Sequence, residues 1–401
     1  MPIRPVRPVP PHRRSPLGAR LKTVSLMVVC LSGLLSPTAV AAAPPGPGTD
    51  VALQRRLDDL VVTPGGPPGA IAVLRDGDGQ RVLAAGVADL ITRRAPSPQD
   101  HMRIASTAKA FSGAVALSLV DRHALRLDDT LGARLPRLPR AWARVTLRQL
   151  LNHTSGLPDY TRDAEFLRIV TADPRHRFDS RRLLDYVADE PLRFRPGSRY
   201  LYSNSDNIAV ALMAEAVTRT PYEHLLEQLV YRPLDLRHTS LPQGYRMPKP
   251  YLHGYDVTPP SPTEDVSEIL SASGVWASGG IVSTPDDMTR FVRGYAGGAL
   301  YGRGVVREQR RWIAGASEPA GPGRNAVGLG IFRYTTRCGV VLGHTGNFPG
   351  YTQLIAATPD GRRSLTFSVN SQINQDLAPR LLRQLRSVQE DFVCAVLRGR
   401  R

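Results

Sequence analysis

The chain has 401 residues, 42% hydrophobic and 22% charged, with 52 Lys plus Arg against 35 Asp plus Glu and a net charge of +17. No apolar run reaches the about 18 residues that a membrane span needs, which argues against a transmembrane anchor. The positive charge comes without a zinc-knuckle, helix-turn-helix or aromatic-basic signature, which argues against nucleic acid, and no His-Glu-x-x-His pattern offers a metal site.

Residues 1–43 read as an export signal. Arg13, Arg14, Arg20 and Lys22 form its basic stretch, Val24 to Leu35 its apolar run, and Ala39-Val40-Ala41 its small-residue end. The expected location is therefore secreted, outside the cytoplasm. Arg13-Arg14 leaves both the general and the twin-arginine export routes open, while the bulky Val29 before Cys30 speaks against lipid attachment. Without this segment the chain is still basic, which makes either an arginine-coated, solvated surface or an attraction to anionic wall polymers. Cys338 and Cys394 then remain, either bonded to each other or as two buried thiols.

After the Pro-Gly stretch at 44–48, apolar spacing predicts a helix over 51–61. Two β-branched runs, 69–74 and 80–88, flank Asp76-Gly77-Asp78-Gly79 and predict a hairpin. A helix is expected over 102–124 with Ser106 at its start, where unpaired N–H groups point. From 125 to about 270, Pro and Gly break the pattern into short helices, an inserted helical lobe. Gly294 to Gly304 lacks phosphate-loop spacing and reads as a flexible surface loop. Strands are expected at 328–334, 339–343, 351–358 and 364–370, and a covering helix at 377–397. The fold class is α+β: an antiparallel sheet from about 51–105 and 271–397, flanked by helices, enclosing a helical lobe at about 125–270, within one unit spanning 44–401.

Lysine is nearly absent. Only Lys22, Lys109 and Lys249 occur, so a lysine kept three residues after a serine, in Ser106-Thr107-Ala108-Lys109, suggests chemistry that arginine cannot do. A guanidinium holds its proton, whereas a buried amine can give its proton up and accept one from a hydroxyl. Three residues apart on a helix, the two side chains share a face. Downstream stand Tyr202-Ser203-Asn204 and His344-Thr345-Gly346.

In order and spacing these three triplets resemble the signature motifs of the serine β-lactamase and penicillin-binding protein superfamily. Leu150-Leu151-Asn152-His153-Thr154-Ser155-Gly156-Leu157 and Gly279-Gly280-Ile281-Val282-Ser283-Thr284 resemble two further landmarks of that family. The pattern is similar to the secreted actinomycete D-alanyl-D-alanine carboxypeptidases, since His344 stands where class C β-lactamases carry lysine. The resemblance implies a Cys338–Cys394 disulfide and a Ser106 acyl-enzyme. Lys109 and Tyr202 would form a coupled acid–base pair, either of them the base, with the Tyr202 pKa lowered by the ammonium. Asn204 would hold the substrate amide, and the N–H groups of Ser106 and Asn347 the oxyanion. Gly346 would let the strand approach the acyl group, and His344 and Thr345 would bind the terminal carboxylate. No metal or organic cofactor is implied. The expected partners are a small peptide or β-lactam, with peptidoglycan or an anionic wall polymer as a further one, and the expected state is a monomer.

The pattern also departs from that group. Phe332 occupies the place of a strand arginine that holds the carboxylate, with Arg333 beside it on the opposite face unless a bulge turns it inward. Trp276 and Tyr160 either line the cleft or pack, and His344 is alternatively a core histidine. The same motifs serve β-lactamases, esterases and D-amino-acid amidases, and a non-catalytic wall-binding protein is a further alternative.

Overall fold

The first amphipathic segment folds as its spacing requires. The computed structural model describes residues 50–258 and 261–398, so the export segment lies outside the described residues. Helix α1 (Asp50–Val62) buries Leu53, Leu57 and Leu60, which its pitch places on one face. Strands β1 (Gly69–Asp76) and β2 (Gly79–Gly86) turn back through Gly77 at φ 57°, which glycine adopts without a Cβ clash.

The helix expected from residue 102 starts later. Met102–Arg103 pairs as a short strand with Val282–Ser283, Ala105–Thr107 forms a 3-10 turn, and only then does α2 (Ala108–Asp121) begin. Ala105 causes the delay: at φ 51° it lies outside the right-handed helical region, so no α-helical ladder runs through it. Ser106 therefore sits on a strained turn, and Lys109 in the first turn of a helix buried from Ala108 to Leu119.

Short helices and 3-10 turns follow, among them α3 (Asn204–Thr218), with a small ladder of Tyr255–Asp256 on Glu264–Asp265. Helix α4 (Pro285–Gly297) is capped by Thr284, whose hydroxyl accepts from the Asp287 N–H. The loop expected over 294–304 is confined to residues 298–302: α4 runs through Gly297 and a further helix spans Arg303–Gln309. Packing explains Gly294 inside α4, since a Cβ there would lie 2.4 Å from a Leu234 methyl.

The chain then adds β3 (Ile313–Ala314), β4 (Arg324–Val327), β5 (Phe332–Thr336), β6 (Gly339–Phe348), β7 (Tyr351–Ala357) and β8 (Arg363–Val369), and closes with α5 (Pro379–Arg398). The eight strands lie in the order β2-β1-β8-β7-β6-β5-β4-β3, every pair antiparallel. Two strand expectations change. Residues 328–331 of the expected 328–334 strand form a turn through Gly330, φ 66°, between β4 and β5, and β6 continues past Gly343 to Phe348.

Side-chain alternation assigns the faces. Leu365, Phe367 and Val369 of β8 join Leu385, Val388 and Phe392 of α5 and the α1 leucines in one core. On the opposite face the Thr366 and Thr289 hydroxyls meet at 3.0 Å, joining β8 to α4. A disulfide joins Cys338, at the β5–β6 turn, to Cys394 of α5, with Cα atoms 5.2 Å apart. This is an α+β fold, a large antiparallel sheet flanked by helices. Among the described residues no helix is long and apolar enough to cross a membrane.

Candidate active site

Ser106 and Lys109 meet because the 3-10 turn feeds straight into α2. The Lys109 Nζ lies 3.1 Å from the Ser106 Oγ, 2.7 Å from the Asn204 Oδ1 and 2.8 Å from the Ser278 carbonyl oxygen. Burial lowers the lysine pKa from 10.5 to about 7, against the opposing pull of Asp159, Glu318 and Asp206. This contact set suits a neutral amine. The Asn204 and Ser278 oxygens only accept, so they take both N–H groups and leave the lone pair for the Ser106 hydroxyl proton.

Tyr202 is buried, and its hydroxyl faces Ser106 without closing a hydrogen bond. Its pKa does not fall as the resemblance implied. Burial holds it well above 10, and Lys109 stands 5.0 Å over the ring centroid rather than beside the oxygen. Behind it, the His153 ring lies 4.5 Å away, and His153 Nδ1 is 2.7 Å from Asp206 Oδ2, which also accepts from the Ser155 hydroxyl through Oδ1. The Leu150–Leu157 landmark thus backs the tyrosine.

Asn204 is held through both ends of its side-chain amide. Its Oδ1 accepts from Lys109, while its Nδ2 donates to Asp159 Oδ2 at 3.0 Å and Thr161 Oγ1 at 3.1 Å. Asp159 also accepts from the Asn204 backbone N–H. No sequence signal singled out Asp159 from the 35 acidic residues, because only the fold brings it beside α3.

Gly346 matters for the turn that carries the nucleophile. A Cβ there would stand 2.4 Å from the Ile104 carbonyl oxygen and 3.0 Å from Thr107 Oγ1, so glycine alone lets β6 press against the Ser106 turn. Asn347 follows on the same strand and borders the same cavity as Ser106. The Asn347 side chain donates to Thr352 Oγ1 and to the Ile373 carbonyl and accepts from Gln372 and Asn374.

The two residues before Gly346 lie behind the wall. His344 is 1% exposed, packs edge-on against Phe332 at 4.9 Å, and makes its Nδ1 contact with the Thr345 carbonyl oxygen. Burial lowers its pKa to about 3, so near neutral pH it is an uncharged core histidine. Thr345 donates its hydroxyl to the Pro319 carbonyl. No bulge turns Arg333 inward: it pairs in register with Leu342 and lies 5.4 Å over Trp312. Trp276 packs against Tyr222 and donates to Glu223, while Tyr160 is buried with its hydroxyl donating to the Gly274 carbonyl.

The cavity beside Ser106 measures about 400 Å³. Phe166, Val170, Phe178, Leu270 and Val275 give it an apolar side from the helical lobe, and Glu318, Asn374, Asp376 and Arg386 border it elsewhere. Arg386 was not visible as a site residue in the sequence, being one more arginine on an amphipathic helix. Among the described residues no three metal-ligating side chains come together.

A family model described as Beta-lactamase matches residues 53–390. Penicillin-binding protein 4* of Bacillus subtilis (strain 168) is 23% identical over 329 residues, 79% of this chain and 70% of that protein. A D-stereospecific amidohydrolase from Streptomyces sp. superposes with a TM-score of 0.72 at 28% identity, covering 84% of this chain and 98% of that one. D-amino acid amidase from Ochrobactrum anthropi SV3, complexed with L-phenylalanine, gives a TM-score of 0.76 at 23% identity over 87% and 99% of the two chains, a likeness of fold. The chain spans 65% to 70% of the length of the first relatives that it matches by sequence.

Proposed function

The chain belongs to the beta-lactamase family of serine hydrolases, and from that premise we propose that it is a secreted D-Ala-D-Ala carboxypeptidase that cleaves peptidoglycan stem peptides through a Ser106 acyl-enzyme and is acylated by β-lactams. The observation that carries this reading is a buried lysine, its pKa lowered to about 7, with its Nζ 3.1 Å from the Ser106 Oγ. Ser106 Oγ attacks the substrate carbonyl as its proton passes to Lys109 Nζ. The N–H groups of Ser106 and Asn347 receive the developing oxyanion. Collapse breaks the C–N bond, and the proton moves from Lys109 to the leaving amine, with the protonated Tyr202 phenol as relay. Water then cleaves the ester, giving its proton to Lys109, which returns it to Ser106. Burial keeps Tyr202 protonated, which leaves Lys109 as the base of the pair.

A monomer as the working unit is part of this proposal. Export and an affinity of the basic surface for anionic wall polymers belong to the same proposal.

The apolar side of the cavity favours a second reading. Phe166, Val170, Phe178, Leu270 and Val275 offer more surface than an alanine methyl fills, as an amidase for bulky D-amino acid amides would need. The test is to incubate the protein with a D-Ala-D-Ala peptide and with D-phenylalaninamide and to measure D-alanine and ammonia, using Ser106→Ala as the blank. D-alanine release supports the peptidase and ammonia alone the amidase. Neither product sinks both.

A further inference from the structure

A substrate that ends in a carboxylate needs a cation on the cleft wall, and the residues expected to supply it are elsewhere. His344 is buried and uncharged near neutral pH, and Arg333 lies over Trp312. Among the described residues, the cavity wall carries a single cationic side chain, Arg386 of α5. Its Nε donates to the Gly321 carbonyl and its Nη2 to the Gly323 carbonyl, both at 3.1 Å. These neutral acceptors fix the guanidinium plane and carry no formal charge of their own. A half-buried cation held this way gains when an anion arrives, because guanidinium–carboxylate contacts are charge-assisted and often two-pronged.

Two acids share the wall and set the limits of the site. Asp376 is exposed, so water screens it, while Glu318 is half-buried and disfavours an anion placed beside it. On the same α5, burial lowers the Arg386 pKa against the opposing pull of Glu390, which itself pairs with Arg337. An anionic group is therefore favoured at the α5 side of the cavity, away from the apolar helical-lobe side.

We infer that Arg386 is the specificity-determining anchor for an anionic substrate end, a carboxylate on the leaving D-amino acid, held from the C-terminal helix rather than from the strand. This rests on the peptidase reading for the identity of the carboxylate. The test keeps the two apart by measuring binding without turnover. In Ser106→Ala protein, calorimetry compares N-acetyl-D-alanyl-D-alanine with its C-terminal amide. The acid should bind roughly 10- to 100-fold tighter, the worth of one charged hydrogen-bonded contact, and Arg386→Gln should erase that preference while leaving the amide unchanged. A purely structural role would weaken acid and amide alike. Equal binding of the two ligands, no measurable binding of the acid, or a preference that survives Arg386→Gln would overturn the anchor. Preference for the acid without D-alanine release by the intact enzyme would keep the anchor and sink only the peptidase reading.

Discussion

Replacing Lys109 by arginine tests whether this position needs a removable proton or only a positive charge. Burial brings the lysine pKa from 10.5 to about 7, which multiplies the neutral fraction at pH 7 by on the order of 10³, from roughly one molecule in 3000 to about half. Arginine stays protonated throughout, so Lys109→Arg should lose about 10²- to 10⁴-fold in kcat/KM, the usual worth of a positioned base. The assay is hydrolysis of a chromogenic ester or amide between pH 5 and 9. Wild-type kcat/KM should fall about tenfold per unit as pH drops below about 7 and level off above it, since the neutral amine is the active form. Stability carries the same sign. With the folded pKa below the unfolded one, the penalty for burying the ammonium is full below pH 7 and fades as pH rises towards 10.5. An arginine variant within tenfold of wild type, or a flat wild-type profile from pH 5 to 8, would refute the assignment of Lys109 as the base.

Two further substitutions probe the scaffold. Gly346→Ala puts a methyl 2.4 Å from the Ile104 carbonyl oxygen, so the Ser106 turn must shift; kcat should drop about 10²-fold for a stability loss of about 1–3 kcal/mol, measured by steady-state kinetics and thermal unfolding. Removing the Cys338–Cys394 bond as a double serine variant opens a loop with a separation of 56 residues, and denaturant unfolding should show a loss of about 2–4 kcal/mol with kcat retained, because the bond lies at the β5–β6 turn and α5, outside the cavity wall.

Much of the site was legible because its chemistry is carried by rare or short-range signals. One of only three lysines stands three residues from Ser106, a spacing that keeps two side chains on one face of a helical segment. The hairpin at Asp76-Gly77 and the amphipathic end helices were equally local. What depended on tertiary packing was not readable. Ala105 adopts φ 51° because the Met102–Arg103 ladder and the strand at Gly346 dictate where the turn must pass, and an alanine gives no hint of that. The strand expected to stop at Gly343 runs on to Phe348, because the glycines at 343 and 346 admit neighbouring backbone. His344 looked like a substrate ligand until its ring was seen packed against Phe332. Asp159 and Arg386 carry common side chains whose meaning comes only from what the fold sets beside them.

The central claim is that Ser106 becomes acylated. Intact mass spectrometry of the protein mixed with benzylpenicillin, followed from minutes to hours, reads this directly. The account predicts a mass increase equal to one drug molecule, present in wild type and absent in Ser106→Ala, because the Ser106 Oγ lies 3.1 Å from Lys109 Nζ. An adduct that forms equally in Ser106→Ala, or neither adduct nor drug hydrolysis in wild type, would contradict it.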